Sequence, residues 1–280
     1  MNYGLYIPNF GKEINARALA NLAQEAEEAG WDGFFIWDQI LHRKSNPSPL
    51  IDPWVTLAAI AMETKRIRIG TTVTALARRR PWKLARETVT LDHLSNGRLT
   101  LGVGLGSPPD ADFSQFGEDP DPKVRGVKLD EGLEILTGLW SGKPYAFKGK
   151  YYNMEKTVFL PRPVQRPRIP IWVGGYWPIK APLRRAALWD GAFPLKSGST
   201  IQPKDLKEIL KYIKDLRGDN TFFDLVMMGI TPGDKPAEAW KKVEKYTKAG
   251  LTWWLENLFL LKNSVEEMRK RIRQGPPGPE

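Results

Sequence analysis

Short apolar, β-rich runs alternate with longer amphipathic stretches from one end of this chain to the other, and no other feature constrains the fold as strongly. Apolar and polar residues repeating every second position fit strands, and a 3.6-residue repeat fits helices. The strand candidates cover residues 3–7, 33–37, 67–74, 99–103, 169–173, 191–194, 224–229 and 252–256. Each is followed by a helix candidate, over 15–29, 54–64, 81–94, 124–140, 179–189, 203–217, 236–249 and 264–274. Gly30 and Gly250 follow helix ends, Pro81, Pro203 and Pro236 fall in first turns, and Ser264 is placed to cap Glu267. Eight strands and eight helices in strict alternation predict a (β/α)8 TIM barrel, with a doubly wound Rossmann sheet as the competing arrangement. A length of 280 residues with 41% hydrophobic content suits one such domain, assigned to residues 1–274. Residues 141–170 break the rhythm, and Tyr145-Ala-Phe-Lys-Gly-Lys-Tyr-Tyr152 reads as a β-hairpin insertion. The Gly275-Pro-Pro-Gly-Pro279 run cannot continue a helix, so residues 275–280 are expected to form a flexible tail.

The residue inventory removes several kinds of chemistry. With no cysteine there is no disulfide framework, thiolate zinc site or thiol nucleophile. Two histidines, His42 and His93, cannot build a histidine-rich metal centre, and the carboxylates are not clustered as metal ligands, so no metal is expected. Residues 1–10 read as a strand rather than a targeting leader, and no apolar run approaches the ~18 residues of a membrane span. A cytoplasmic protein without a membrane partner is the expectation. The formal charge of +10 raises nucleic acid as a partner, but Arg78-Arg79-Arg80, Lys241-Lys242 and the residues from Arg269 to Arg273 fall in three different elements. They read as solvated faces together with a site for an anionic small molecule.

In a barrel of this kind the reacting groups lie just beyond the C-terminal ends of the strands. That rule selects Asn9 and Phe10, the segment from Trp37 to His42, residues 71–80, Gly104 to Ser107, Gly174 to Trp177, the loops after Pro194 and Gly229, and Asn257. Gly102-Val-Gly-Leu-Gly106 and Gly174-Gly175 leave the backbone bare where an anion or a flat ring could approach, although a tight turn is the commoner reason for such glycines. Asp38, Asp110, Asp112 and Asp190 are the carboxylates within reach of strand ends. His93 falls in a helical stretch and reads as structural, whereas His42 sits in the loop after the second strand. Trp37 and Trp177 would present broad apolar faces at the mouth.

These strand ends, taken with the segments between them, resemble the luciferase-like monooxygenase family. The likeness is carried in order by Glu27-Glu-Ala-Gly-Trp-Asp-Gly33, Ile36-Trp-Asp38, Asp52-Pro-Trp54, Ile67-Arg-Ile-Gly-Thr71, Pro81, Leu91-Asp-His-Leu-Ser-Asn-Gly-Arg-Leu99 and Leu101-Gly-Val-Gly104. It continues through Phe116-Gly117, Leu129-Asp-Glu-Gly-Leu-Glu-Ile-Leu136, Pro170-Ile-Trp-Val-Gly-Gly175 and Asp190-Gly191. The resemblance implies a dimeric barrel that binds FMN, or alternatively the deazaflavin coenzyme F420, at its C-terminal mouth. A separate reductase would supply the reduced cofactor. It also implies a bulge with a non-proline cis peptide at Thr72-Val73 behind the ring, with Trp37, Thr71, Thr72 and Val73 against it. Gly104, Leu105, Gly106 and Ser107, with Gly174, Gly175 and Tyr176, would hold the phosphate and ribityl chain.

Two departures from the family stand out. Gln39 follows Asp38 where members commonly carry histidine, and an amide cannot exchange protons near neutral pH. Gln39 and His42 are therefore the candidate catalytic pair, the first orienting and the second titrating. Ser107 stands where the sugar-phosphate dehydrogenase branch has glutamate, which argues against that branch. The expected function is a flavin- or deazaflavin-dependent oxidoreductase acting on a small organic substrate, either by oxygen insertion or by hydride transfer. A non-catalytic barrel that binds a flavin or another ligand is the alternative.

Overall fold

The computed structural model describes residues 1–45, 47–218, 221–260 and 264–278. In chain order the elements are β1 (Asn2–Ile7), α1 (Ala16–Glu28), β2 (Gly33–Asp38), α2 (Pro53–Glu63), β3 (Arg68–Ala75), α3 (Pro81–Leu94), β4 (Leu99–Gly104), α4 (Pro109–Asp112) and α5 (Pro122–Trp140). They continue as β5 (Tyr145–Lys148), β6 (Asn153–Thr157), β7 (Ile171–Trp177), α6 (Lys180–Ala186), β8 (Gly191–Lys196), α7 (Pro203–Arg217), β9 (Asp224–Gly229), α8 (Pro236–Thr247), β10 (Trp253–Asn257) and α9 (Val265–Arg273). Eight strands close in the order β1-β10-β9-β8-β7-β4-β3-β2. Every pairing in that ring is parallel, from β1 with β2 around to β10 with β1. This is the (β/α)8 barrel, and the Rossmann alternative is excluded because an open sheet would leave two edges.

Local signals account for the helix ends. Asn15 accepts the amide of Ala18 at 2.9 Å, Asp52 that of Val55 at 2.9 Å and Asp121 that of Lys123 at 2.7 Å, each occupying a donor that the first turn leaves without a partner. Gly218 closes α7 in the left-handed region, at φ 66°.

The core has two shells. Between sheet and helices lie Leu5, Ile7, Leu19, Leu22, Ile60, Leu84, Leu133 and their neighbours. Inside the barrel, Tyr6, Phe35, Trp172, Phe193, Val226, Trp253 and Leu255 form a second cluster. Such large rings fit because glycines face them: a Cβ on Gly191 would stand 2.5 Å from Trp172, and one on Gly33 2.5 Å from Phe35. The rings fill the lower barrel, which leaves the open space inside the barrel at its C-terminal mouth.

The insertion is the expected antiparallel hairpin, β5 with β6. Its turn runs over 149–152, so Tyr151 and Tyr152 lie in the turn rather than the second strand. Glu131 of α5 holds that turn by accepting the amides of Lys150, Tyr151 and Tyr152 at 2.7, 3.0 and 3.1 Å. Of the proposed tail, Pro277 is buried, and Pro279 and Glu280 lie outside the described residues. Among the described residues no helix is long and apolar enough to cross a membrane.

Candidate active site

The mouth is organised by an irregularity in β3. Pairing with β2 runs from Ile36 with Thr71 to Asp38 with Thr74, and pairing with β4 from Thr71 with Leu101 to Thr74 with Val103. On both sides β3 holds one residue more than its neighbour, which defines a bulge at Thr72 and Val73. The Thr72-Val73 peptide is cis, as the resemblance implied. The Val73 side chain lies between two glycines: a Cβ on Gly104 would be 2.7 Å from its Cγ2, and one on Gly174 2.8 Å from its Cγ1. These glycines therefore make room for Val73 before they make room for any ligand.

Above the bulge opens a cavity of about 850 Å³. One wall is broad and apolar, made by Tyr6, Trp37, Val73, Phe193, Leu195 and Phe259. The other extends along the N-terminal half of α5 and along α6 and carries Lys123 and Arg185, and Arg43 from the loop after β2 also lines the cavity. Arg185 is tied to Asp130 through a two-point ion pair.

Of the residues put forward for catalysis and cofactor binding, all but Thr71 line this cavity, whereas Asn9 and Trp177, also expected at the mouth, do not, and Trp177 packs in the core instead. Gln39 and His42 are there, as are Trp37, Thr72, Val73, Gly104, Leu105, Gly106, Ser107, Gly174, Gly175 and Tyr176. Thr71 points away from it: its hydroxyl donates to the Gly102 carbonyl at 3.0 Å and lies 2.9 Å from the Thr74 hydroxyl, so it binds strand to strand rather than holding a cofactor. The glycine at 175 also has a structural reason, because a Cβ there would stand 2.2 Å from the Pro182 ring of α6.

Asp38 is fully enclosed and serves as an anchor. It accepts from Thr74 Oγ1 at 2.8 Å, from Arg79 Nη2 at 2.8 Å and from Arg78 Nη2 at 3.0 Å. Burial alone would raise its pKa, but the charges and hydrogen bonds of Arg79 and Arg78 outweigh that and hold it below the usual carboxylate range. It stays ionised and unavailable for proton exchange. Asp112 goes the other way, with burial pushing its pKa up against the opposing charge of Arg78 and the amide of Ile40. Its Oδ1 accepts that amide at 3.1 Å, stitching the loop after β4 to the loop after β2. Asp110 is exposed, and Asp190 sits at the opposite end of the barrel, where it accepts the amide of Ile171 at 2.8 Å.

Burial also lifts the Tyr6 hydroxyl far above its usual range, so it remains protonated. The His42 ring stacks on Phe10 with centroids 3.6 Å apart, and burial followed by the charge of Arg43 lowers its pKa. Neutral imidazole is thus the form present near pH 7.

The arrangement fits a flat heteroaromatic ring carrying an anionic tail. Trp37 Nε1 and Thr72 Oγ1 lie in the wall with no hydrogen-bond partner among the described residues, and Lys123 and Arg185 stand on the α5 and α6 side. No three histidine, aspartate or glutamate side chains among the described residues come together as metal ligands.

The sequence profile of the family described as luciferase-like monooxygenase matches residues 1–273. The chain belongs to the luciferase-like monooxygenase family. An uncharacterised protein of Mycobacterium tuberculosis strain H37Rv is 34% identical over 212 residues, 70% of each chain. A second one from that strain is 33% identical over 190 residues, 62% of this chain and 65% of its own length. An F420-dependent glucose-6-phosphate dehydrogenase of Amycolatopsis mediterranei is 32% identical over 173 residues, and this match spans 61% of the present chain and 51% of that enzyme. Among solved structures, an F420-dependent secondary alcohol dehydrogenase in complex with an F420-acetone adduct superposes with a TM-score of 0.79 at 19% identity, covering 99% of this chain and 98% of that one. The coenzyme F420-dependent tetrahydromethanopterin reductase of Methanopyrus kandleri gives 0.77 at 18% identity over 98% and 96%. At these identities the likeness speaks for the fold. The family is described as one of monooxygenases, that is, of oxidoreductases.

Reading the sequence missed Tyr6, Arg43, Lys123, Asp130, Arg185, Phe193 and Phe259. Tyr6 and Phe193 were legible as inward-facing positions on strands, whereas Lys123 and Arg185 reach the cavity from helices and carry no local signal.

Proposed function

We propose that this protein is a hydride-transferring oxidoreductase that works with the deazaflavin coenzyme F420, with FMN as the competing cofactor. The carrying observation is the Thr72-Val73 bulge, whose Val73 side chain, held between Gly104 and Gly174, forms a firm apolar support at the floor of the cavity. A ring lying against Val73 would be flanked by Trp37 and Tyr6. Its tail would run past Gly104 to Ser107 and past Gly174 and Gly175 toward Lys123 and Arg185. F420 is preferred over FMN because relatives at 32% and 33% identity bear the name F420-dependent glucose-6-phosphate dehydrogenase. When bound, the coenzyme supplies two-electron hydride chemistry. The protein's own residues supply the rest: Trp37, Phe193, Leu195 and Phe259 exclude water and seat a small, largely apolar substrate. Gln39 orients, and His42 holds the exchangeable proton. Ser107 carries no charge, which sets this site apart from one built for a sugar phosphate. The same proposal includes a homodimer, a separate reductase supplying reduced coenzyme, and a cytoplasmic location.

Titration of the cofactor-free protein with oxidised and reduced F420 and, separately, with oxidised and reduced FMN tests it by tryptophan fluorescence. Binding of F420 at least tenfold tighter than FMN is expected. The reverse order would move the assignment to FMN, and failure of both to bind would overturn the oxidoreductase reading. Binding without turnover of any alcohol or carbonyl compound would favour the non-catalytic barrel.

A further inference from the structure

The two histidines of the chain show opposite ring nitrogens to their partners. His93, exposed near the end of α3, places Nε2 2.7 Å from the carbonyl oxygen of Arg162. A carbonyl oxygen only accepts, so the His93 proton resides on Nε2. His42, in the wall of the cavity, places Nδ1 3.1 Å from the side-chain oxygen of Gln39. The orientation of that amide follows from its other end. Gln39 Nε2 donates to the Ser107 carbonyl oxygen at 2.8 Å, and because that oxygen cannot donate, the amide nitrogen must face Ser107 and the amide oxygen must face His42. Neutral His42 therefore carries its proton on Nδ1. Asn9 fixes the same segment from below, with Nδ2 donating to the Gln39 backbone oxygen at 3.0 Å and to that of Ile51 at 2.9 Å.

We propose that Gln39 is a positioning residue that holds His42 as the Nδ1–H tautomer, so that Nε2 is a basic nitrogen at the barrel mouth and takes the proton of a substrate hydroxyl. This rests on the oxidoreductase reading above. In the step, the carbinol C–H bond breaks and its electron pair leaves with the hydrogen to a hydride acceptor of the flavin or deazaflavin class. The O–H bond breaks as its proton passes to His42 Nε2, and the released pair completes the C=O bond. His42 then returns the proton to water. No partner for Nε2 occurs among the described residues. The groups around the ring are Phe10 after β1, Phe259 after β10, Gln39, and Arg43, the charged neighbour that disfavours imidazolium. Of the carboxylates in the cavity wall, Asp38 and Asp112 turn toward Arg78 and Asp130 toward Arg185, so none competes for the imidazole. The substrate class that follows is an alcohol, oxidised to a carbonyl compound, with the reverse reduction requiring His42 to be charged first.

Long-range 1H–15N correlation spectra of cofactor-free, 15N-histidine-labelled protein, recorded above the titration of both rings, test the tautomers without any turnover. His42→Ala and His93→Ala assign the two spin systems. The expected result is Nδ1–H for His42 and Nε2–H for His93, with Gln39→Met losing the His42 preference while leaving His93 unchanged. An Nε2–H His42 in the unaltered protein would overturn the proposal, as would a Gln39→Met spectrum identical to it. In the loaded enzyme Gln39→Met is expected to lower kcat for an alcohol at least tenfold with KM changed less than threefold. An unchanged kcat would remove the catalytic role of His42 even if the tautomer stood. Failure of F420 and FMN to bind would remove the hydroxyl oxidation along with the oxidoreductase reading, and would leave the spectra to decide the positioning role alone.

Discussion

The two ends of the barrel spend their polar groups differently. At the foot, Arg98 is buried and donates to the Ser95, Ala61, Thr64 and Ile67 carbonyls and to the Thr64 hydroxyl, at 2.7 to 3.0 Å. Glu27 takes the amides of Lys65, Arg66 and Ile67, and Asp224 accepts from Trp172 at 3.1 Å and Thr252 at 2.8 Å. At the mouth, Trp37 Nε1 and Thr72 Oγ1 are left without a partner, and the charged groups line a cavity instead of closing it. Dense hydrogen bonding at the foot ties helices to strands, although Tyr3 Oη and Thr100 Oγ1 there also lack a partner among the described residues. Incomplete pairing at the mouth costs stability and leaves groups available to a ligand. Changes at the foot should accordingly register as unfolding, and changes at the mouth as altered binding, with one exception.

The exception gives the largest expected effect. Asp38→Asn, although at the mouth, would strand the Arg78 and Arg79 guanidiniums and should cost about 3–5 kcal/mol in chemical denaturation at pH 7. The folded pKa of Asp38 is depressed, so its contribution is present above the unfolded value near ~3.9 and is lost as pH falls through the lower folded value. Wild type should therefore lose its advantage over Asp38→Asn on acidification, and a gap that does not narrow would show that packing, not charge, sets it.

Arg98→Ala at the foot comes next, with an expected loss of about 3 kcal/mol or more from the acceptors it leaves buried and unpaired. Loss of less than about 1 kcal/mol would mean that water enters and re-pairs them, and the contrast between the two ends would weaken.

The glycines sharpen the comparison within the mouth. Gly175→Ala drives a Cβ to 2.2 Å from Pro182 and should lower stability by about 1–3 kcal/mol through displacement of α6. Gly104→Ala meets Val73 at 2.7 Å and displaces the ring support, with an expected cofactor affinity loss of roughly tenfold, about 1.4 kcal/mol. Thermal melts and cofactor titrations on both variants separate the roles, and equal losses in both measurements would make the two glycines alike.

The smallest effect is expected at Asp112. Its folded pKa is raised, so folding binds a proton and this group's contribution, fully present below its unfolded value, is lost as pH rises through the folded one. Asp112→Asn, which keeps an acceptor for the Ile40 amide, should be neutral or slightly stabilising at pH 7. A clear loss there would show that the attraction of Arg78 for Asp112 outweighs burial.

The strands and helices were legible because apolar periodicity, cap residues and prolines act over a few neighbouring positions. The α3, α7 and β9 spans, Pro81–Leu94, Pro203–Arg217 and Asp224–Gly229, coincide with the sequence reading, and the other elements differ by a few residues at their ends. The four-residue α4 was not anticipated, since so short a turn has no period. Cavity residues at or just beyond strand ends, such as Gln39, Ser107 and Tyr176, were found by the strand-end rule.

By itself the sequence determined an eight-stranded closed barrel, the place of its mouth, and a family resemblance specific enough to locate the Thr72-Val73 bulge. Only the tertiary structure decided what the groups at that mouth do. It turned Thr71 toward Gly102 and away from the cavity, reserved Gly104 and Gly174 for Val73, locked Asp38 between two arginines, and set Gln39 between Ser107 and His42. Each of these outcomes except the short link from Gln39 to His42 depends on partners tens of residues apart in the chain. Those partners are selected by strand order and by which loops converge over the closed ring, and local periodicity holds no record of either.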